Sequence, residues 1–215
     1  MAPSSTIIIT GGTGALGSAL ARSLETSYLG QFHVLLTCRN TNDARAVTIS
    51  EFLKSKNGSF SLEKLDLSDL KEVKSFAERI KLKVEASEIP GLAGGGIVNS
   101  AAYMTFIKDA KTKDGVDVMY TINCLAPALL VRCLLPVLMN GATVVNVGSE
   151  AHGIGRMEYF EEQKERNRMV GEGEKVGFTE GMKRYGSSKL MAIMMGYAFQ
   201  RQIYVVSSPF ADILF

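Results

Sequence analysis

The sequence predicts one three-layer α/β domain, in which a doubly wound parallel sheet is covered by helices on both faces. Two observations predict it. Short runs of apolar, β-branched residues alternate with helical stretches, and a glycine-rich turn directly follows the first run. Strands that are apolar throughout are typical of a sheet buried on both sides, and right-handed crossovers between them give the doubly wound order.

The individual elements are predicted from composition and from flanking turn residues. The regular strands lie at 6–10, 32–37, 96–100, 142–147 and 203–207, and a less regular one lies at 60–67. Helices are predicted at 14–25, 41–55, 69–85, 113–138 and 182–201. The third helix has the clearest start signal, with Ser68 as N-cap and Asp69 and Glu72 in its first turn. Since no repeat or proline-rich linker interrupts this alternation, residues 1–215 are predicted to form a single domain.

Composition argues against several classes of protein. The chain is 46% hydrophobic and 21% charged with a formal net charge of +2, and its basic residues are scattered, so neither nucleic acid nor an acidic membrane surface is an expected partner. Cys38, Cys124 and Cys133 have no metal-ligand spacing and leave one thiol unpaired. We therefore expect no metal site and a reducing, cytoplasmic location, and the N-terminus lacks the charged region of a signal peptide.

The segment 121–139 is nearly apolar over the length of a membrane-spanning helix. It contains Asn123, Pro127, Arg132 and Pro136, which a lipid-facing helix tolerates poorly. The sequence therefore favours a buried helix of a soluble fold over a membrane span.

A glycine-rich turn, TGGTGALG, joins the first strand to the first helix at residues 10–17. Glycines allow the tight turn and let backbone N–H groups approach a pyrophosphate, which the N-terminus of the following helix favours electrostatically. Such a turn alone is often only a loop, but here a strand precedes it and a helix follows it, as dinucleotide binding requires. The candidate cofactor-binding residues of this turn are Gly11, Thr13, Gly14, Leu16 and Gly17.

The end of the second strand favours NADP(H) over NAD(H). Proteins that bind NAD usually carry an acidic residue there to hold the ribose 2′-hydroxyl. This chain has Arg39 instead, whose planar guanidinium could pair with a 2′-phosphate. The alternative is a solvated surface arginine.

Two further strand ends carry candidate cofactor contacts. Asp66 and Leu67 close the third predicted strand, where a side-chain acceptor could meet an adenine, although Asp66 could equally cap the following turn. Asn99 closes the fourth strand and is followed by small residues, which would let a cofactor lie against the backbone and would also suit a structural turn.

Tyr185 and Lys189 are four residues apart in the last helix, which puts both side chains on one helical face. A phenol is a poor acid near neutral pH, and a neighbouring ammonium favours its ionised form, so the pair could transfer protons. Such a spacing also occurs by accident in many helices. Ser149 follows the fifth strand at the edge of the sheet where a substrate would lie.

Together these motifs resemble the short-chain dehydrogenase/reductase family, whose fold is the Rossmann fold, over residues 6 to about 209. The resemblance implies that Tyr185 donates a proton to a carbonyl oxygen and that Ser149 hydrogen-bonds the same oxygen. It further implies that Lys189 binds the nicotinamide ribose and that Asn123 holds a water in a proton relay. The Met-rich stretch after Lys189 would pack against a partner subunit, which implies a homodimer through the helix of Tyr185.

The segment VNVGSEAHGIGRMEYF resembles the retinol- and steroid-dehydrogenase-like branch, which implies a bulky apolar carbonyl or alcohol (steroid-, retinoid- or polyketide-like) as substrate. Residues 158–175 would lie in the loop over that substrate, and their high charge also fits a solvated surface lid. His152, close to Ser149, raises the alternative of a hydrolase, but no Gly-x-Ser-x-Gly elbow surrounds the serine.

Three departures from the family pattern leave other functions open. Ala15 makes the turn also match the Gly-x-x-Gly-x-x-Gly form of sugar-nucleotide epimerases, and Ser100 and Ala102 replace the usual Asn and Gly. The chain ends in VVSSPFADILF, so we expect it to lack the family's last helix and strand. A non-catalytic nucleotide-binding protein or a truncated, inactive chain are the corresponding alternatives.

Overall fold

The computed structural model describes residues 2–28, 30–107, 110–138, 141–159, 175–206 and 212–214. The strands of its sheet are β1 Ser5–Thr10, β2 Phe32–Cys38, β3 Phe60–Lys64, β4 Gly96–Asn99, β5 Thr143–Asn146 and β6 Asp212–Leu214. All neighbours pair in parallel in the order β3-β2-β1-β4-β5-β6. The strand order reverses between β1 and β4, which confirms the doubly wound fold and places the ligand crevice there.

The helices are α1 Ala15–Tyr28, α2 Ala44–Ser55, α3 Leu70–Glu85, α4 Val118–Tyr120, α5 Ala126–Leu134 and α6 Phe178–Val206. A π-helical turn, Thr121–Leu125, joins α4 to α5, and 3-10 turns cover Leu135–Val137 and Glu150–Ile154. We call the latter the 150–154 turn. It follows β5 and packs against α6.

The sheet separates two hydrophobic cores. Ile8, Leu35 and Ile97 face α3 and α5 and pack with a first cluster of buried apolar side chains. Ile9 and Leu36 face the opposite way and pack with a second cluster under α1 and α2. Because successive side chains of a strand point to opposite faces, strands that are apolar throughout supply both cores.

The predicted sixth strand at 203–207 is wrong, because α6 continues to Val206 and β6 is Asp212–Leu214. The run has the β-branched composition of a strand, but no glycine or proline separates it from the helix that precedes it. The helix therefore continues through it, against the local propensity.

Predicted helix starts also change: α2 begins at Ala44 instead of 41 and α6 begins at Phe178 instead of 182. The helix predicted from residue 113 begins at Val118, since residues 112–115 form a turn and Asp117 Oδ1 accepts a hydrogen bond from Tyr120 N at 2.9 Å. The N-cap of α3 is Asp69, whose Oδ1 accepts from Lys71 N and Glu72 N. Its carboxylate satisfies the first backbone N–H groups of the helix more strongly than the Ser68 hydroxyl would.

One helical segment of the described residues, Val118–Val137, has the length and composition to cross a membrane, with a mean hydropathy of 1.7. Half of its most apolar window is buried inside the protein, where α5 packs against α3. The core helix of a soluble protein has the same properties, so the expected absence of a membrane span stays a prediction.

His33 on β2 is a buried titratable group between the sheet and α3. Its Nδ1 lies 2.8 Å from Ser59 Oγ and its Nε2 lies 3.0 Å from Ser61 Oγ. Burial lowers the pKa of His33 below its ordinary value of 6.5, and the Lys83 ammonium, which is paired with Glu63, lowers it further. The folded protein therefore favours the neutral imidazole.

We predict that the free energy of unfolding falls as the pH is lowered through about 6.5, because the unfolded chain then binds the His33 proton before the folded chain does. Above that pH the imidazole is neutral in both states and contributes no pH dependence. In His33→Gln the free energy of unfolding should fall less between pH 7.5 and pH 5.5 than it does in the wild-type chain, as measured by urea unfolding at each pH. An identical loss in both proteins would contradict the assignment.

Candidate active site

The glycine-rich turn lies at the carboxyl end of β1, against the segment that follows β4. Gly11 has φ +65°, and a Cβ placed on it would lie 2.9 Å from the Cα of Ala101. A Cβ on Gly17 would lie 2.5 Å from the carbonyl oxygen of Gly11. Neither position has room for a side chain, so the glycines hold the N-terminus of α1 directly over the end of the sheet.

This turn forms one wall of a cleft of about 340 Å³ between β1, β2 and β4. The structure brings together around it the predicted residues Gly11, Thr13, Gly14, Leu16, Gly17, Arg39, Asp66 and Leu67. Residues 100–103 close the opposite wall, with Ser100 Oγ donating to Thr10 O at 2.6 Å. The sequence thus identified one connected surface, at the edge of the sheet where α/β folds bind nucleotides.

Arg45, which sequence reasoning missed, lies beside Arg39 on this cleft. It is in the first turn of α2, its side chain is 72% exposed, and its guanidinium is 3.9 Å from the carboxylate of Asp43. An ion pair with such an exposed arginine holds the guanidinium only weakly, so Arg45 can reach a ligand in the cleft. The signal available in the sequence was the position of Arg45 just after a helix N-cap, at the same edge of the sheet.

Asp66 and Asn99 both make internal hydrogen bonds. Asp66 Oδ1 accepts from the backbone N and the Oγ of Ser68, at 2.9 and 2.7 Å, so it caps the turn after β3 while lining the cleft. Asn99 is buried, and its Nδ2 donates to Asn146 Oδ1 at 2.9 Å. It therefore ties β4 to β5 and lines a second cavity rather than the cleft.

Lys189 is 3% exposed and its Nζ donates to the backbone oxygen of Val147 at 2.7 Å. The same Nζ lies 5.9 Å from the centroid of the half-buried Tyr185 ring. Burial lowers the pKa of Lys189 below its ordinary value. An ammonium in this environment gives up a proton more readily than an exposed one, which suits a proton-transfer group.

The second cavity, of about 30 Å³, lies between Lys189, Asn123 and the hydrogen-bonded pair Asn99 and Asn146. Its walls are otherwise apolar side chains of α5 and α6. A polar cavity above roughly 10–15 Å³ has room for a water molecule. The proton relay that the resemblance implies stays a prediction, and this cavity behind Lys189 has room for the water that it requires.

Asn123 lies in the π-helical turn and is fully engaged in holding two segments together. Its Oδ1 accepts from Tyr103 N and its Nδ2 donates to Tyr103 O, both at 2.8 Å. Nδ2 also donates to Ser188 Oγ at 2.9 Å. An amide nitrogen carries two N–H donors, and both are used in these bonds. A relay water could therefore bind this side chain only at Oδ1.

Ser149 caps the 150–154 turn, with its Oγ accepting from Ala151 N at 3.3 Å. The ring Nδ1 of His152 lies 2.7 Å from the backbone oxygen of Ser149. Because the imidazole bonds the backbone and not the Ser149 hydroxyl, the geometry argues against a serine hydrolase, in which the histidine must reach that Oγ.

Helix α6 contacts the 150–154 turn through glycines. A Cβ on Gly186 would lie 2.1 Å from the oxygen of Ala151, and one on Gly155 would lie 2.6 Å from the backbone of Gly186. Ser187 Oγ accepts from Arg156 N at 3.0 Å beside this contact. The close approach brings the segment of Ser149 next to Tyr185, and sequence reasoning missed the glycines and serines that create it.

The predicted substrate loop, 158–175, falls mostly on residues 160–174, which lie outside the described part of the chain. Of its flanks, Val176 N donates to Phe106 O at 2.7 Å, and the rings of Phe106 and Phe178 stack with centroids 6.0 Å apart. These contacts anchor the start of α6 to the segment after β4.

Comparison with known proteins identifies a family. A sequence model of the short chain dehydrogenases matches residues 5–160. Retinol dehydrogenase 12 of Mus musculus is 30% identical over 163 residues, which are 75% of this chain and 48% of that protein. A dehydrogenase/reductase family member, FEY of Arabidopsis thaliana, is 29% identical over 88% of this chain and 47% of its own length. The chain thus spans about half the length of these curated relatives.

Solved structures share the fold. The NADPH-bound carbonyl reductase from chicken fatty liver matches 99% of this chain and 78% of its own, with a TM-score of 0.68 and 19% identity. A metagenomic short-chain oxidoreductase in complex with NADP has the same TM-score at 18% identity and matches 80% of its own chain. At these identities the likeness is one of fold alone.

We predict that Gly186→Ala destabilises the protein by about 1–3 kcal/mol, because the new methyl group meets backbone that cannot move aside without separating α6 from the 150–154 turn. For a chain of this size that corresponds to a fall in Tm of roughly 2–10 °C. Gly153→Ala in the same turn is the matched control, since its Cβ meets nothing within 4 Å. If the two variants had equal Tm values, the glycine contact would not be what holds α6 in place.

Proposed function

This chain belongs to the short-chain dehydrogenases, and from that membership and its site geometry we propose that it is an NADP(H)-dependent oxidoreductase that interconverts a carbonyl and an alcohol. One observation carries the proposal: the buried Lys189 lies beside the Tyr185 ring and is anchored to the end of β5, at the edge of the sheet where the glycine-rich cleft opens. When bound, the nicotinamide supplies or accepts the hydride.

The residues around the cleft fit a dinucleotide. The turn from Gly11 to Gly17 offers backbone N–H groups and the N-terminus of α1 to a pyrophosphate, and its glycines let the ligand approach the backbone closely. Arg39 and Arg45 both line this cleft, and their guanidinium groups could pair with an adenosine 2′-phosphate, which supports NADP(H) over NAD(H). Lys189 and Tyr185 would hold the nicotinamide ribose.

In the direction of reduction, the Tyr185 hydroxyl donates its proton to the carbonyl oxygen as negative charge develops there. The Ser149 hydroxyl donates a hydrogen bond to the same oxygen, and the Lys189 ammonium lies close enough to stabilise the charge. Because burial lowers the pKa of Lys189, this side chain can return a proton to Tyr185 after turnover.

We propose a bulky, apolar substrate of steroid-, retinoid- or polyketide-like character. Apolar side chains are exposed on the segments that flank Tyr185 and Ser149, with Ile154 52% and Phe178 71% exposed and Met104 also at the surface. Apolar surface of this kind is typical of ligand-binding rims. A relative named retinol dehydrogenase 12 supports the same class.

We also propose that two copies of the chain associate through α6. Its outer face exposes Met194 and Tyr197, and a surface groove between α5 and α6 is lined by apolar side chains around Arg132. Burial of this apolar area against a second copy would stabilise a dimer and stiffen the helix that carries Tyr185.

We predict that Tyr185→Phe lowers kcat for NADPH-dependent ketone reduction by about 10²–10⁴-fold, because it removes the phenol hydroxyl that donates the proton. The Kd of NADPH should change by less than about tenfold, since the cleft lies on other elements. Turnover is measured as NADPH oxidation across a panel of ketones, and binding by the shift in Tm that the cofactor causes.

Full turnover in Tyr185→Phe would overturn the assignment of the proton donor. A cofactor-induced Tm shift without turnover of any ketone in the wild-type chain would favour the non-catalytic nucleotide-binding alternative.

We predict that Arg39→Ala and Arg45→Ala each raise the Kd of NADPH about tenfold and leave the Kd of NADH unchanged, because a hydrogen bond to a charged phosphate contributes about 1.5–3 kcal/mol. Arg201→Ala, an exposed arginine near the end of α6 that does not line the cleft, is the matched control. Equal weakening of both cofactors would show that the arginines shape the fold of the cleft without selecting the phosphate.

A further inference from the structure

The largest fully buried side chain of the described residues is a charged one, Arg184, directly before Tyr185. Its Nη1 donates to the backbone oxygen of Ile107 and its Nη2 donates to Asp117 Oδ2, both at 2.7 Å. The two bonds run in different directions from one planar group. They therefore fix both the position and the rotation of the guanidinium.

Asp117 connects this arginine to the helix of Asn123. Its Oδ2 receives the guanidinium while its Oδ1 caps α4, accepting from Tyr120 N at 2.9 Å. Helix α4 runs directly into the π-helical turn that contains Asn123. The Asp117 carboxylate thus determines where α4 begins and also fixes that helix to α6.

The same cluster reaches Tyr159, in the segment that follows the 150–154 turn. The hydroxyl of the buried Tyr159 donates to the Glu180 carboxylate, and Glu180 lies one helical turn before Arg184 on the same face of α6. The charges of Arg184 and Asp117 are close enough to Tyr159 to act on its hydroxyl, while burial raises the pKa of Tyr159 and keeps it a donor. We call Asp117, Tyr159, Glu180 and Arg184 the buried polar cluster.

We propose that Arg184 is a positioning residue: held by Ile107 and Asp117, it sets the rotation of α6 so that Tyr185 and Lys189 meet the oxygen to be protonated. This inference rests on the proposed function. The buried polar cluster joins α6 to the start of α4, which leads into the turn of Asn123, and to Tyr159, which follows the 150–154 turn capped by Ser149. A helix turned about its axis would move Lys189 from Val147 O, and displacement of about 1 Å in a reacting group can lower the rate about 10²-fold.

Stability alone gives no reason for this arrangement. Replacement of a buried ion pair by apolar side chains of similar volume is often neutral or stabilising, because the charges no longer have to be desolvated. A forked, two-point contact supplies orientation, which an apolar side chain cannot supply. Replacement of the pair as a unit is therefore expected to affect turnover more than folding, whereas removal of Arg184 alone leaves Asp117 without its ion pair and also costs stability.

The test compares Arg184→Met, Arg184→Lys and Asp117→Asn with the wild-type chain, at a temperature where circular dichroism shows equal folded fractions. Arg184→Met should lower kcat at least about tenfold, with the Kd of NADPH changed less than about threefold. Arg184→Lys keeps the positive charge but loses the two-point contact of the guanidinium. Its kcat should lie between the values for Arg184→Met and the wild-type chain. Combining Arg184→Met with Asp117→Asn should add no further loss of kcat, since the pair acts as a unit.

Lys83→Met is the matched control, because it breaks another partly buried ion pair, with Glu63, at the far edge of the sheet. It should change Tm without changing kcat. If Arg184→Met does not fold, the kcat values of Arg184→Lys and Asp117→Asn decide the test. Arg184→Lys keeps the positive charge, and Asp117→Asn keeps a side-chain oxygen to cap α4, so both retain part of the native contact.

Wild-type kcat in folded Arg184 variants would overturn the inference and leave the proposed function standing. A loss of kcat that parallels loss of NADPH binding, or one equally large in Lys83→Met, would also overturn it, because a general weakening of the fold would then explain the result. Absence of ketone reduction by the wild-type chain, or full turnover in Tyr185→Phe, would overturn the proposed function and the inference together.

Discussion

The geometry of the candidate site depends on one contact, the backbone-to-backbone approach of α6 to the 150–154 turn. With Gly186 and Gly155 at the interface, carbonyl and amide atoms meet where side chains would otherwise stand. That approach puts Ser149 beside the helix of Tyr185 and lets Lys189 reach Val147 O, one residue past β5. A methyl group at the contact would push the helix outward and weaken all of these relations at once.

The fold could be predicted from the sequence because its signals are local. Each central strand is apolar on both faces, and the glycine turn sits between a strand and a helix, so each element could be recognised within about ten residues. The errors occurred where local and tertiary preferences conflict. At 203–207 a β-branched run continues a helix, and at Val118 the helix starts where Asp117 is fixed by Arg184, a residue distant in sequence.

The sequence allowed us to propose which side chains form the candidate site, but not which contacts hold those side chains in position. Tyr185, Lys189 and Ser149 stand at spacings and strand ends that chemistry makes recognisable. The contacts Asn123–Ser188, Arg156–Ser187 and Arg184–Asp117 join residues more than thirty positions apart and leave no periodic pattern. Arg45 was missed for a related reason, because its place on the cleft follows from where α2 starts, not from the strand end that marks Arg39.

A continuous set of hydrogen bonds links the two halves of the site. Tyr103 lines the cofactor cleft and is held at both backbone atoms by the Asn123 side chain. The same side chain bonds Ser188, whose Oγ donates in turn to the backbone oxygen of Tyr185. A shift of the cleft wall would therefore be transmitted to the helix of Tyr185, the proposed proton donor, and a cofactor bound against that wall would hold both in place. Through this buried amide, cofactor binding and alignment of the proposed acid would become parts of one rigid arrangement.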